Sequence, residues 1–247
     1  MNRGLTGIFI RTVKTTFSVL AAAVFMLSLS VSAYASDLDI SAITEKKLAG
    51  IPTTEYEDCG VSAPALYNLT YSPDGIGYII IGDSRTVFIE CQFQVNARRD
   101  NIYILAASGE GFEYFEEIAL PAAKRIEEAH PEIRTWRYII SMGFNDMWNI
   151  YEYRKALFEL SRDRLVYFVS VNPVEDRPEI PEYGIMNKNL KVFNYVMMGE
   201  PYLKYIDTCS YLLENGYETA YDGIHYNGKT TADIYTLIKR EILLSGL

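Results

Sequence analysis

A serine hydroxyl, an imidazole and a carboxylate stand out in this 247-residue sequence because together they can activate a nucleophile. Ser84 comes just after the apolar run 78–81, so it would lie where a strand ends and a helix begins. The backbone N–H groups of a helix start can stabilise an anion there. His225 is one of only two histidines, and Asp222 precedes it by three residues, near enough to orient an imidazole and stabilise its charged form. Taken singly, Ser84 could equally be a helix N-cap, and the Asp222–His225 pair a turn that caps the last helix.

The amide of Asn145 is a fourth candidate, because it can donate to developing negative charge. It lies in the segment GFND at residues 143–146, directly after the apolar run 137–140. Gly143 allows the backbone to approach closely, and a side-chain amide is a typical oxyanion donor. The Asn-Asp pair is also common in turns, so this segment alone does not specify a function. A serine nucleophile needs both a base and such donors at neutral pH.

The pattern of apolar residues predicts the elements that position these side chains. Strands are predicted at residues 78–81, 102–105, 137–140 and 165–169 and, more weakly, at 205–206; helices are predicted at about 85–95, 113–129, 150–162, 184–198 and 229–244. Continuous apolar runs are typical of strands covered on both faces. The alternation predicts an α/β fold, a three-layer α/β/α sandwich with a central parallel sheet of about five strands. Ligands of such sheets bind beyond the carboxyl ends of the strands.

The three motifs also resemble those of a known family. GDS at residues 82–84, GFND at 143–146 and DGIH at 222–225 are similar, in order and wide spacing, to the GDS, G-x-N-D and D-x-x-H blocks of the SGNH (GDSL-type) hydrolases. The resemblance covers residue 78 to about residue 244 and implies the flavodoxin-like fold of that family. Arg85 stands where these hydrolases usually have leucine, which affects the expected local packing or substrate preference.

The resemblance implies a role for each matched residue. Ser84 would be the nucleophile, His225 the general base and then acid, and Asp222 the residue that orients the imidazole. The implied oxyanion hole consists of the backbone N–H of Ser84, a backbone N–H of Gly109 and the side-chain amide of Asn145. Gly111 is the alternative to Gly109, because both glycines lie in the loop after the second predicted strand.

Composition narrows the class of partner. Hydrophobic residues make up 49% and charged residues 22% of the chain, and the formal net charge is -9. The two percentages are typical of a globular protein. The negative net charge argues against a nucleic-acid binder, which needs basic residues to neutralise phosphates. The sequence lacks an H-E-x-x-H motif, a P-loop and a dinucleotide-binding glycine motif, so neither a metal nor another cofactor is expected.

The N-terminal residues 1–35 are predicted to be a secretory signal peptide. Three basic residues and no acidic ones precede an apolar stretch at 17–31, and Ala-Tyr-Ala at 33–35 matches a cleavage site. Cleavage would release a secreted, extracellular protein without stable membrane association. The alternative is an uncleaved membrane anchor, because residues 15–35 are long enough to span a bilayer.

The rest of the chain is divided into two predicted parts. Residues 36–75 contain several prolines and glycines without a sustained period, which indicates an N-terminal leader that packs on the domain formed by residues 76–247. Cys59, Cys91 and Cys209 allow at most one intramolecular disulfide, and their spacing favours no particular pair. Buried apolar roles are the simpler interpretation of these cysteines.

The predicted substrate is a small-molecule or glycan ester. Aromatic residues follow each motif, and their faces could stack on sugar rings or simply pack in the core. Secreted members of the resembling family often remove acetyl groups from polysaccharides, which favours a carbohydrate O-acetylesterase that forms an acyl-serine intermediate. The alternatives are an O-acyltransferase with the same three residues and a non-catalytic glycan-binding protein.

Overall fold

The computed structural model describes residues 75–244. The predicted signal peptide at 1–35, almost all of the predicted leader at 36–75, and Cys59 lie outside the described residues. Within them, Cys91 and Cys209 are not joined to each other by a disulfide. No helix in residues 75–244 combines the length and the apolar character needed to cross a membrane.

A five-stranded parallel sheet forms the centre of the described region. Its strands are β1 (Ile76–Gly82), β2 (Ile102–Ala106), β3 (Thr135–Ser141), β4 (Leu165–Val169) and β5 (Lys204–Ile206). Their order is β2-β1-β3-β4-β5, and every neighbouring pair is parallel. This is the flavodoxin-like order. All five predicted strands are confirmed.

Six helices of eight residues or more accompany the sheet within residues 75–244. They are α1 (Ser84–Arg99), α2 (Leu120–Ala129), α3 (Ile150–Ser161), α4 (Pro181–Met198), α5 (Thr208–Asn215) and α6 (Gly228–Leu244). An α-helical turn, Phe112–Tyr114, and a π-helical segment, Phe115–Ala119, lead directly into α2. Five helical regions agree with the sequence prediction. The sixth, α5, was not predicted, because eight residues are too few to show a clear helical period.

The core is divided by the sheet into two layers. Along β1, Ile79 and Ile81 pack against α2, α3 and α4, whereas Tyr78 and Ile80 pack against α1, α5 and α6. All four side chains are fully buried, because successive residues of a strand point to opposite faces and both faces are covered. The predicted three-layer α/β/α sandwich is therefore confirmed, with the carboxyl ends of β1 and β3 at one shared edge.

Candidate active site

The turn between β1 and α1 presents Ser84 at the carboxyl edge of the sheet. Gly82 ends the strand, and a Cβ at this position would lie 1.9 Å from the hydroxyl of Thr86, so the tight turn requires glycine. The Asp83 carboxylate accepts a hydrogen bond from the backbone N–H of Arg85 at 3.0 Å. Asp83 therefore caps this helix start, and the hydroxyl of Ser84 is available for another partner.

The structure brings Ser84, His225 and Asp222 into one hydrogen-bonded series. Ser84 Oγ lies 2.9 Å from His225 Nε2, and His225 Nδ1 lies 2.5 Å from Asp222 Oδ2. The imidazole is 1% exposed and stacks on the ring of Phe88, with 5.3 Å between ring centroids. With the Nδ1 proton directed at the carboxylate, Nε2 is the nitrogen left to accept the serine proton.

The Asp222 carboxyl is held in its charged form. Burial alone would raise its pKa, but hydrogen bonds from the His225 ring and from the backbone N–H groups of Ile224 and His225 lower the pKa to about 2. Both backbone donors reach Asp222 Oδ1 at 2.9 Å. The carboxylate can therefore stabilise an imidazolium throughout the neutral range.

Residues from other segments hold the turn that contains Asp222 and His225 in place. Gly223 has a φ of +70°, and its carbonyl accepts from the Glu175 backbone N–H at 2.8 Å. The hydroxyl of Tyr183 donates to the Asp222 carbonyl at 2.5 Å. Capping of α6 is performed instead by Asn227, whose side chain accepts from the Thr230 backbone N–H at 2.9 Å. The turn is therefore not the cap of the last helix.

The other histidine, His130, is in a different environment. Its Nδ1 lies 2.9 Å from the carboxylate of Glu132 in an exposed contact next to the end of α2. Of the two histidines, both within the described residues, it is His225 whose ring lies within hydrogen-bonding distance of Ser84.

Asn145 lies in the loop after β3 and contacts the loop after β2. Its amide donates to the Glu110 carbonyl at 2.8 Å, which leaves a second N–H on the same nitrogen for another acceptor. Gly143 has a φ of +111°, and a Cβ there would lie 2.6 Å from the ring of Phe193. The glycine of this motif is therefore required both by its conformation and by close packing.

Asp146 is a structural residue of the site whose role the sequence did not reveal. Its buried carboxylate accepts from the Phe112 backbone N–H at 2.6 Å, the Asn149 amide at 3.0 Å and the Tyr153 hydroxyl at 2.9 Å. The bond from Phe112 attaches the loop after β2 to the loop after β3, and the other two hold Asp146 against the segment that follows it in the chain. The only signal in the sequence was its position at the end of the GFND motif.

The two candidate glycines differ in environment. Gly109 is exposed, has a φ of +76°, and would meet nothing within 4 Å of an added Cβ. A Cβ on Gly111 would lie 2.4 Å from the carboxylate of Asp146. Close approach to Asp146 therefore explains why position 111 is glycine, whereas the left-handed backbone explains position 109.

The aromatic residues around the motifs differ in exposure. Four are buried in the core, namely Tyr114, Phe115, Tyr153 and Tyr226, and Phe112 and Trp148 are partly buried. Tyr221, directly before Asp222, is 66% exposed, and Tyr151 is 60% exposed. Tyr221 and Tyr151 therefore have the most ring surface available to a ligand among these residues. Among residues 75–244, no three or more His, Cys, Asp or Glu side chains are grouped so that they could hold a metal ion.

Comparison with known proteins gives matches among solved structures alone. No protein-family model and no curated protein matches the chain. A proposed acylhydrolase of Bacteroides fragilis is similar with a TM-score of 0.53 and 13% identity over 72% of this chain and 93% of that one. The catalytic domain of peptidoglycan O-acetyltransferase A of Streptococcus pneumoniae has a TM-score of 0.49 and 17% identity over 69% and 96% of the two chains. A GDSL-like lipase of Bacteroides thetaiotaomicron has a TM-score of 0.47 and 15% identity over 78% and 96%.

At these identities the comparison concerns the fold. The described residues have the three-layer α/β/α fold that the sequence predicted, and the proposed acylhydrolase of Bacteroides fragilis has a similar fold. The fold alone does not determine the reaction, which must be argued from the side chains at the carboxyl edge of the sheet.

Proposed function

We propose that this protein is a serine hydrolase that cleaves ester bonds through an acyl-serine intermediate. The observation that supports the proposal most directly is the series from Ser84 through His225 to Asp222, with contacts of 2.9 and 2.5 Å. Each contact is within hydrogen-bonding distance, and the order of groups is the one that activates a serine hydroxyl.

In the first half of the proposed reaction, Ser84 Oγ attacks the carbonyl carbon of the ester while His225 Nε2 accepts the hydroxyl proton. Asp222 stabilises the resulting imidazolium. The tetrahedral intermediate collapses when the C–O bond to the alcohol breaks, and His225 gives its proton to the departing alkoxide. The acyl group is then bonded to Ser84.

The oxyanion of each tetrahedral intermediate needs donors that are already in place. We assign the backbone N–H of Ser84, the free N–H of the Asn145 amide and the backbone N–H of Gly109 to this role, with Gly111 as the alternative. In the second half of the reaction, a water molecule gives a proton to His225 and attacks the acyl carbon. Ser84 then leaves and recovers its proton from His225.

The finer proposal is a carbohydrate O-acetylesterase. It is supported by the exposed ring of Tyr221 beside Asp222, because an aromatic face with a polar tip suits a sugar ring. Acyl transfer to a sugar hydroxyl instead of water would use the same acyl-serine. The two reactions are distinguished by whether acetate or an acetylated acceptor is formed from an acetyl donor in the presence of oligosaccharide.

The test of the proposed function is release of p-nitrophenol from p-nitrophenyl acetate by the full chain and by Ser84→Ala. Ser210→Ala is the matched control, because Ser210 is an exposed serine at the start of α5. We expect Ser84→Ala to lose at least about a thousandfold in rate and Ser210→Ala to keep the wild-type rate. Equal rates for the wild-type chain and Ser84→Ala would contradict the proposed ester hydrolysis and leave O-acyl transfer and glycan binding as the remaining hypotheses.

We also propose that the protein is exported, on the basis of the sequence pattern in residues 1–35 alone. Mass spectrometry of the protein recovered outside the producing cells should give an N-terminus at Ser36. An intact N-terminus retained in the membrane fraction would instead support the uncleaved anchor.

A further inference from the structure

Arg85, the residue directly after the nucleophile, has its side chain inside the site. The resembling hydrolases usually have leucine here, yet the Arg85 guanidinium is half-buried and contacts three other segments. A guanidinium keeps its charge under all ordinary conditions and carries five N–H donors in a rigid plane. The groups that contact the guanidinium therefore indicate what an arginine does at a position where leucine is usual.

Two of those donors connect loops that are far apart in the sequence. Arg85 Nη1 donates to the carbonyl of Asn172 at 2.7 Å, and Nη2 donates to the carbonyl of Ile224 at 3.0 Å. Asn172 follows β4, whereas Ile224 is the residue before His225. Both acceptor residues are buried, so water cannot readily replace the guanidinium as their donor.

The plane of the guanidinium is also held by aromatic rings. Its central carbon lies 4.0 Å from the ring centroid of Phe144 and 5.2 Å from that of Tyr226. Phe144 belongs to the GFND motif, and Tyr226 follows His225. A cation at such distances is attracted by the ring faces. One side chain therefore contacts the loop after β3, the loop after β4 and the turn that contains the base.

We propose that Arg85 is a positioning residue that holds the His225 turn in register with the Ser84 turn. This inference rests on the proposed function, in which His225 must lie close enough to Ser84 to accept its proton. Arg85 is covalently bonded to Ser84 through its backbone, and its side chain is hydrogen-bonded to the carbonyl of Ile224, the residue before His225. It acts through these residues and does not itself need to contact the substrate.

Neither leucine nor lysine can replace all of these contacts. Leucine is too short to reach between the two rings and would leave the Asn172 and Ile224 carbonyls without their donor. Lysine keeps the charge but presents a compact ammonium without the planar fork that reaches two carbonyls while it stacks between rings. We therefore expect Arg85→Lys to be intermediate and Arg85→Leu to be the more severe variant.

Arg137 provides a matched control at the opposite end of the sheet. Its guanidinium also donates to a backbone carbonyl, that of Ile242 at 3.2 Å, and also lies over an aromatic ring, that of Tyr78 at 5.7 Å. Arg137→Leu and Arg137→Lys remove contacts of the same kind without changing the neighbourhood of Ser84. They separate positioning from general loss of stability.

The experiment compares these four variants with the wild-type full chain in kcat and KM for p-nitrophenyl acetate. It also records the NMR resonance of the imidazole N–H proton between His225 and Asp222. A displacement of about 1 Å between reacting groups can reduce a rate about a hundredfold. We expect a fall of this size in kcat for Arg85→Leu, a smaller one for Arg85→Lys, and KM within about threefold of wild type in both. The resonance should shift or broaden in the Arg85 variants and stay unchanged in the Arg137 variants.

Unchanged kcat and an unchanged resonance in Arg85→Leu would overturn the proposal, as would equal effects in Arg137→Leu. If Arg85→Leu does not fold, the comparison of Arg85→Lys with Arg137→Lys decides. If the wild-type chain shows no turnover that depends on Ser84, the proposed function fails. The resonance still tests the positioning role in that case, because it does not require catalysis.

Discussion

Replacement of Asp222 by asparagine is expected to lower the free energy of unfolding by about 2 kcal/mol at neutral pH through the loss of one charged group. Folding lowers the pKa of the Asp222 carboxyl from its ordinary value of 3.8 to about 2. This gap corresponds to about 2 kcal/mol in favour of the charged carboxylate in the folded state. The side chain is mostly enclosed, with 23% of its surface exposed, so solvent weakens the interaction only in part.

The sign of the pH dependence follows from the direction of the shift. Because folding lowers this pKa, the stabilisation is fully present above about pH 5 and is lost as the pH falls through 3.8 towards 2. At pH 3, about half of it should remain. The asparagine variant has no proton to gain there, so its difference from the wild-type chain must shrink in acid.

Urea unfolding of the wild-type chain and Asp222→Asn at pH 5 and at pH 3 measures this difference directly. Other carboxyl groups titrate equally in both proteins and cancel. We expect the difference in free energy of unfolding to decrease by about 1 kcal/mol between the two pH values. Asp163→Asn, at an exposed position, is the control for removal of a carboxylate. A difference that is the same at pH 5 and pH 3 would refute the assignment of Asp222 as a charged partner of His225.

Two further predictions concern the loops after β3 and β2. Asn145→Ala should lower kcat by about a hundredfold to a thousandfold at nearly constant KM, because the variant lacks the amide that we propose as an oxyanion donor. Steady-state kinetics measures this effect, and Asn215→Ala is the control, since the Asn215 amide also donates to a backbone carbonyl but lies at the end of α5. An equal loss of kcat in both variants would count against the oxyanion role. Gly111→Ala should lower the free energy of unfolding by about 1 to 3 kcal/mol, because the new Cβ would lie 2.4 Å from the Asp146 carboxylate. Gly184→Ala is the control, because Gly184 lies in α4 and a new Cβ there would meet nothing within 4 Å. This variant should raise the free energy of unfolding by about 0.5 to 1 kcal/mol. Urea unfolding that finds Gly111→Ala more stable than Gly184→Ala would contradict the packing described for Gly111.

The secondary structure could be read from the sequence where the local pattern is strong. The run Tyr78 to Ile81 is apolar at every position, and the structure buries it on both faces of the sheet. By contrast, α5 is short and begins at a cap formed by Asp207, whose carboxylate accepts from the Ser210 backbone N–H. A helix of this length depends on its tertiary contacts more than on its own period.

The candidate site could be predicted only in part. The GDS and DGIH motifs identified Ser84, Asp222 and His225 as candidates, and parallel strands end at a common edge, so their proximity was a reasonable expectation. The pattern did not reveal that Asp83 rather than Ser84 caps α1, nor that Asp146 joins two loops. Such roles depend on which polar group faces which donor, and sequence spacing does not give that.

The sequence by itself determined the alternation of strands and helices and the kinds of side chain at the ends of the strands, because these depend on local apolar periodicity and on short motifs. Only the tertiary structure decided that the Ser84 hydroxyl lies 2.9 Å from the imidazole of a residue 141 positions away. It also decided that Arg85 reaches the carbonyl of Ile224, 139 positions away. Distances of this kind are set by how whole elements pack against one another, so they are a property of the complete core and not of any segment.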